Sequence, residues 1–207
     1  MKLHVEMIGK APRVVLVHGA MGYPSWRNQK ELSERFQLEI FIRPGYPPNP
    51  LEPEMGFDID AKLVADHLGD GAHLVGHSYG GIVCLLAASL LPEAVHSLTV
   101  TEPPCFDVAR GHHEVEDFVA ALEQLYASGV QDPRQFMIAF LEVNGLTPQL
   151  PDPLPQVMQQ LAECLMVERV PWEAQIPLAK LRTTPFPKLV VSGAESHPAL
   201  TAVCDVL

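Results

Sequence analysis

The chain alternates short apolar runs with longer segments of mixed polarity. Val14–Val17 is continuous, mostly β-branched and ends at His18-Gly19, the pattern of a strand covered on both faces. Leu38–Ile42, the short His73–Val75, Val95–Thr101 and Pro187–Ser192 read as further strands, and Leu3–Ile8 alternates as a half-exposed strand does. Between them Ser25–Arg35, Ile59–Leu68 and Ile82–Leu91 read as helices. Trp26, Leu32 and Phe36 mark the apolar side of the first, and Pro92 ends the last. Such alternation predicts an α/β fold, a mostly parallel sheet with helices on both faces.

From Phe106 to Leu181 the pattern changes and no strand is expected. Helices are predicted near Glu114–Ala127, Pro133–Val143, Leu154–Val167 and Trp172–Leu181, with a Pro-rich break from Thr147 to Pro153. The chain therefore divides into a core over 1–105, a helical insertion over 106–184 and the core resumed over 185–207. An insertion between two sheet strands is expected to form a lid over the carboxyl edge of the sheet, where open α/β folds place their sites.

Charge and composition narrow the class. A net charge of −11 argues against a nucleic-acid binder, which needs a basic patch, and favours a neutral or cationic small-molecule substrate. The longest uncharged apolar stretch, Ile82–Leu91, is too short to span a bilayer. The opening MKLHVEMIGK has no apolar segment with a cleavage site, so the expectation is a cytoplasmic enzyme that acts away from membranes. Cys84, Cys105, Cys164 and Cys204 form no CxxC pair and read as buried thiols, neither a disulfide frame nor a zinc site. His112 and His113 in "HHEVE" read as an exposed helix start more readily than as metal ligands. No metal and no organic cofactor is expected.

The chemistry concentrates in "LVGHSYGG". A serine between glycines, after an apolar strand and before a helix, is the arrangement of an exposed nucleophile. Gly76 and Gly80 flank His77-Ser78-Tyr79 and relieve side-chain clashes at the sharp turn, which lifts Ser78 Oγ above the sheet. The next backbone N–H, that of Tyr79, points at the developing oxyanion, and the helix start adds a field favourable to negative charge. A serine hydroxyl is a poor nucleophile unaided. It needs a base to take its proton and a third group to orient that base.

With "VVLVHGAMG" upstream, "LVGHSYGG" at the turn, a helical insertion and then "KLVVSGAES", the chain resembles the α/β-hydrolase family over most of its length. The resemblance implies an α/β-hydrolase fold with a helical lid. It also implies an oxyanion hole built from the backbone N–H groups of Ala20 and Tyr79, with Met21 ranked behind Ala20. His18 and Gly19 are implied to support the oxyanion loop, His18 not being the base, and His77 to pack beside the nucleophile. One departure is Arg43, where relatives often carry an acidic residue before Pro-Gly; it bears on loop contacts and leaves the chemistry untouched.

In this family the triad runs serine, acid, histidine. The acid usually stands three residues beyond a glycine after the strand that follows the lid, but three residues past Gly193 is Ser196, which holds no charge. Two glutamates remain. Glu102 ends the strand before the insertion, next to Pro103 and Pro104, and ranks above Glu195. Asp58, Asp60, Asp107 and Asp205 are expected to be solvated loop carboxylates.

The base is harder to find among the nine histidines. His4, His67, His73 and His96 lie on strands or helices ahead of the insertion. Only His197 follows the last strand, and it fits the role poorly, because the family's histidine lies after one further strand. Leu200, Val203, Cys204 and Leu207 keep helical spacing to the last residue, with no closing Gly, Asn or basic residue. The expectation is that Leu207 is not the natural end and that the catalytic histidine lies in a further segment of about 30–40 residues. If Leu207 is the end, the open edge of Pro187–Ser192 favours homo-oligomers.

The activity expected is that of a serine esterase cleaving a small, largely apolar carboxylic ester through an acyl-enzyme. Apolar lid residues such as Phe118, Leu122, Phe136 and Phe140 fit an apolar substrate and equally fit an ordinary lid core. The same fold and triad also serve C–C hydrolases, cofactor-free peroxidases and lyases. A chain ending at Leu207 is alternatively a non-catalytic ligand-binding protein.

Overall fold

The structure, a computed structural model, describes residues 3–207. Strand β1 (Val5–Ile8) is followed by β2 (Arg13–Val17), 3₁₀ turns over Tyr23–Glu34, β3 (Gln37–Phe41) and α1 (Phe57–Leu68). Then come β4 (Ala72–His77), α2 (Tyr79–Leu90) and β5 (Val95–Thr101). Helices α3 (His113–Ala127), α4 (Pro133–Val143), α5 (Gln156–Val167) and α6 (Leu178–Thr183) precede β6 (Lys188–Val191) and α7 (Pro198–Val206). Among the described residues the strands form one sheet in the order β1-β3-β2-β4-β5-β6, parallel except for β1, which runs antiparallel to β3.

Strand β2 shows why its sequence is a single apolar run. Period-two alternation sends Val15 and Val17 into the core shared with α1 and α2, and Val14 and Leu16 into a second core with Trp26, Leu38 and Ile40. Neither face leaves room for a polar side chain. Helix α2 is likewise buried from Tyr79 through Leu85 and again at Ala87–Ser89, as a helix enclosed between the sheet and its neighbours must be.

Two expected helices differ in form. In place of an α-helix over Ser25–Arg35, 3₁₀ turns run over Tyr23–Glu34 and Arg35 follows them. Trp26 is buried but Leu32 is exposed, so the segment has no apolar stripe to hold an α-helical face against the sheet. The helix expected over Trp172–Leu181 divides into a short turn at Pro171–Glu173 and α6, with Pro177 at the break.

Residues 106–184 carry their own apolar cluster. Leu125, Phe136, Met137, Leu141, Leu161 and Leu165 pack with Ile42, Tyr46 and Met55 from the segment after β3. The parallel strands end together at one edge, which gathers His18 after β2, Ser78 after β4, Glu102 after β5 and Gly193 after β6.

Candidate active site

Ser78 joins β4 to α2 with φ 54° and ψ −129°. Among the described residues it shares a positive φ with just one other non-glycine residue, Glu102 at 48°. Such conformations cost about 1–3 kcal/mol and persist where neighbours hold them. The Ser78 N–H donates to Thr101 O (2.9 Å), Gly81 N–H donates to Ser78 O (2.7 Å), and Glu102 N–H donates to Val191 O (3.0 Å). Close approach explains two glycines. A Cβ on Gly80 would overlap the carbonyl oxygens of Val17 and His18, and one on Gly19 would stand 2.7 Å from the Ser78 Cβ.

Ala20 and Tyr79 border the same narrow pocket as Ser78. Among the described residues neither of their backbone N–H groups donates to a carbonyl, and that of Tyr79 opens α2, where helix geometry supplies no acceptor. Met21 is exposed and borders a wider cavity beside it. The Tyr79 side chain points away into the protein, where its OH accepts from Phe57 N–H (3.1 Å) and donates to Arg169 O (2.7 Å).

His18 is fully buried behind this loop. Arg43 N–H donates to its Nε2 (3.1 Å), so the ring proton sits on Nδ1, which donates to Gly19 O (2.8 Å). Burial, reinforced by the Arg43 charge, pushes its pKa down to about 3. The unfolded residue takes its proton near 6.5. Between those values only the unfolded chain binds the proton, so stability falls as pH falls, by up to about 1.4 kcal/mol per pH unit from this residue. His18→Asn is expected to flatten the acid limb of the unfolding free energy by that slope, as read from urea titrations between pH 6.5 and 3.

Glu102 is held from the far side of the sheet edge. Its Oε1 accepts from Gly193 N–H (2.9 Å) and from the Ser196 hydroxyl (2.6 Å), while Oε2 has no partner among the described residues. Ser196 stands where the resemblance looks for an acid, and its hydroxyl steadies Glu102 instead. Glu195 is exposed and makes no side-chain hydrogen bond among the described residues. Ser78, Glu102, Glu195, His77 and His197 all border the wider cavity, about 420 Å³.

The histidines near Ser78 are committed elsewhere. The His77 ring packs edge-on against Trp26, 6.3 Å between centroids, and burial lowers its pKa against the opposing pull of Glu102. His197 caps α7, its Nδ1 accepting from Ala199 N–H (3.2 Å), and its ring lies 4.2 Å from that of Phe118. No histidine is hydrogen-bonded to Ser78 or Glu102 among the described residues.

Asp60 corrects the expectation of a solvated loop carboxylate. It lies on α1, 1% exposed, with its Oδ2 2.7 Å from Arg43 Nε. The fully buried Arg43 guanidinium also meets Glu168 Oε2 (2.7 Å), to which the Tyr46 hydroxyl donates as well (3.0 Å). It lies 4.1 Å from the Tyr79 ring centroid and 4.7 Å from that of Tyr46. A buried guanidinium requires such partners. Arg43 thereby ties α1, the end of α5 and Tyr79, the residue after Ser78, together, a larger role than loop contacts. Asp107 is half-buried and accepts from Ile176 N–H (2.7 Å), whereas Asp58 pairs with Arg169 in solvent and Asp205 is exposed. No periodicity in the sequence marks Glu168 or Tyr46. The one signal was a charged Arg43 inside the apolar run "IFIRPGY".

Cys84, Cys105 and Cys164 are buried free thiols and Cys204 is partly exposed. His112 and His113 are exposed at the start of α3, and no cluster of three or more His, Cys, Asp or Glu poised to hold a metal occurs among the described residues. No helix among those residues is long and apolar enough to cross a membrane.

A strained serine between strand and helix, at the carboxyl edge of a parallel sheet and beside a clamped glutamate, defines the class. The chain belongs to the alpha/beta hydrolase family, whose model matches residues 14–205. It is 32% identical over 171 residues to a pimeloyl-[acyl-carrier protein] methyl ester esterase of Aeromonas hydrophila, a match covering 79% of this chain and 66% of that protein. A protein of the same name from Methylococcus capsulatus is 34% identical over 107 residues, covering 48% of this chain and 40% of its own length. The chain thus spans less than two thirds of the length of either curated relative. Among solved structures, it is similar to an alpha/beta hydrolase from Sphaerobacter thermophilus, with TM-score 0.68, 23% identity, and coverage of 98% of this chain and 82% of that one. A thermophilic esterase from Thermogutta terrifontis gives TM-score 0.61 and 20% identity, covering 98% and 79%. These two likenesses establish the fold.

Proposed function

We propose that Ser78 is the nucleophile of a serine esterase that cleaves a small, largely apolar carboxylic ester through an acyl-enzyme. Ser78 Oγ attacks the ester carbonyl, and the oxyanion rests on the N–H groups of Ala20 and Tyr79. A histidine imidazole takes the Ser78 proton and passes it to the departing alkoxide, then activates the water that releases the acid. Glu102, through its free Oε2, orients that imidazole and offsets its charge. The helical segment 106–184 serves as the lid, its Phe118, Leu122 and Phe140 facing the acyl group in a pocket with only about 50 Å³ of water-accessible space.

One observation carries this reading. The two positive-φ non-glycine residues among the described residues, Ser78 and Glu102, border one cavity of about 420 Å³, a volume large enough to hold an imidazole. The relatives named as methyl ester esterases support the same chemistry.

The test is hydrolysis of short-chain methyl esters, followed by proton NMR with and without added imidazole. Turnover without imidazole, or turnover rising with imidazole, is expected. Glu102→Gln is expected to lower it by about 10²-fold. Turnover in neither condition would overturn the esterase. It would leave a ligand-binding protein on a hydrolase fold, the reading favoured by the absence of a histidine bonded to Ser78 among the described residues.

A further inference from the structure

The narrow pocket at Ser78 is not apolar along its whole wall. Phe106, Phe118, Leu122, Phe140 and Leu165 form a sleeve, but Glu168 also borders it. Glu168 is only 6% exposed. Its Oε2 is taken by Arg43 and Tyr46, while Oε1 has no hydrogen-bond partner among the described residues. Unlike Asp60 Oδ1, Oε1 is not a fully buried atom without a partner, and Glu168 is part of the pocket wall.

The charge balance points the same way. Arg43 is one buried cation between two buried carboxylates, Asp60 and Glu168. Fully ionised, the cluster carries one uncompensated negative charge, which is costly away from water. Burial pushes the pKa of both carboxyls up, against the opposing pull of Arg43, and a hydrogen bond donated by a ligand to Oε1 would offset that cost of the charged form. The other polar side chains on the pocket wall donate elsewhere: Tyr126 OH to Leu165 O (2.9 Å), one hydrogen of Asn144 Nδ2 to Phe140 O (2.7 Å) and Tyr79 OH to Arg169 O. Ser78 and the second N–H of Asn144 keep a donor, and neither is bonded to Glu168 Oε1 among the described residues.

We propose that Glu168 is a specificity residue that receives a hydrogen-bond donor carried by the acyl chain. The preferred substrate class is then an ω-hydroxyacyl or ω-aminoacyl ester, above the unsubstituted ester of equal length. Naming the ligand an acyl ester rests on the esterase reading; the binding preference itself needs no catalysis.

The two donors on Oε2 make the test sharp. In Glu168→Gln, Arg43 and Tyr46 keep the amide oxygen on their side, so the amide NH₂ turns toward the pocket and an acceptor becomes a donor. Binding is measured by calorimetry on the Ser78→Ala protein, with plain, ω-hydroxy, ω-amino and ω-oxo methyl alkanoates of matched length. The ω-hydroxy and ω-amino esters are expected to bind about tenfold more tightly than the plain ester. With Glu168→Gln added, the preference is expected to pass to the ω-oxo ester. Equal affinities on the protein that keeps Glu168 would overturn the proposal, whether or not the second variant folds. Failure of the esterase reading would show separately, as absence of turnover at Ser78, and would leave this binding order intact.

Discussion

Ser78→Ala is expected to reduce ester hydrolysis to background, a loss of at least about 10⁴-fold, with the fold intact. Alanine keeps the Cβ that packs against Gly19 and the backbone hydrogen bonds to Thr101 and Gly81, so the strained turn still forms. Only Oγ is lost, and with it the covalent step. The loss should fall on kcat, since the pocket walls proposed to bind the acyl group are unchanged. Hydrolysis by NMR beside a thermal melt separates the two effects. A variant that melts like the parent yet retains a tenth of its turnover would contradict the assignment.

Arg43→Ala is the second large effect, a destabilisation of about 3–5 kcal/mol read as a lowered urea midpoint. Asp60 and Glu168 would then lie buried with no cation between them, and the Tyr46 and Tyr79 rings would lose the guanidinium packed on their faces. Arg43→Lys is expected to recover only part of this. A single ammonium cannot reach Asp60 and Glu168 with the separate nitrogens that the guanidinium uses. A loss below about 1 kcal/mol for Arg43→Ala would place the cluster among ordinary surface pairs and sink the account of it.

What the sequence made legible is what local chemistry dictates. Val14–Val17 declared itself as a strand because burial on both faces forbids polar residues there. The Ser78 turn was readable because strand, glycine, serine, glycine and helix are contiguous. The 3₁₀ turns over Tyr23–Glu34 were misread because three apolar markers suggested a helical face that Leu32 does not join. Glu102 stood out at a strand end, but its fixation by Gly193 and Ser196 comes from positions 91 and 94 residues away. Asp60 and Glu168 were harder still. Whether a carboxylate is solvated or buried depends here on Arg43, 17 residues from one and 125 from the other, and no periodicity carries that information.

The central claim is that Ser78 is an activated nucleophile. The most direct test is an intact-mass spectrum after exposure to a fluorophosphonate in imidazole buffer, with Ser78→Ala treated in parallel. One adduct per chain, absent from the alanine variant, is the expected result. An unmodified Ser78 protein under those conditions would contradict it.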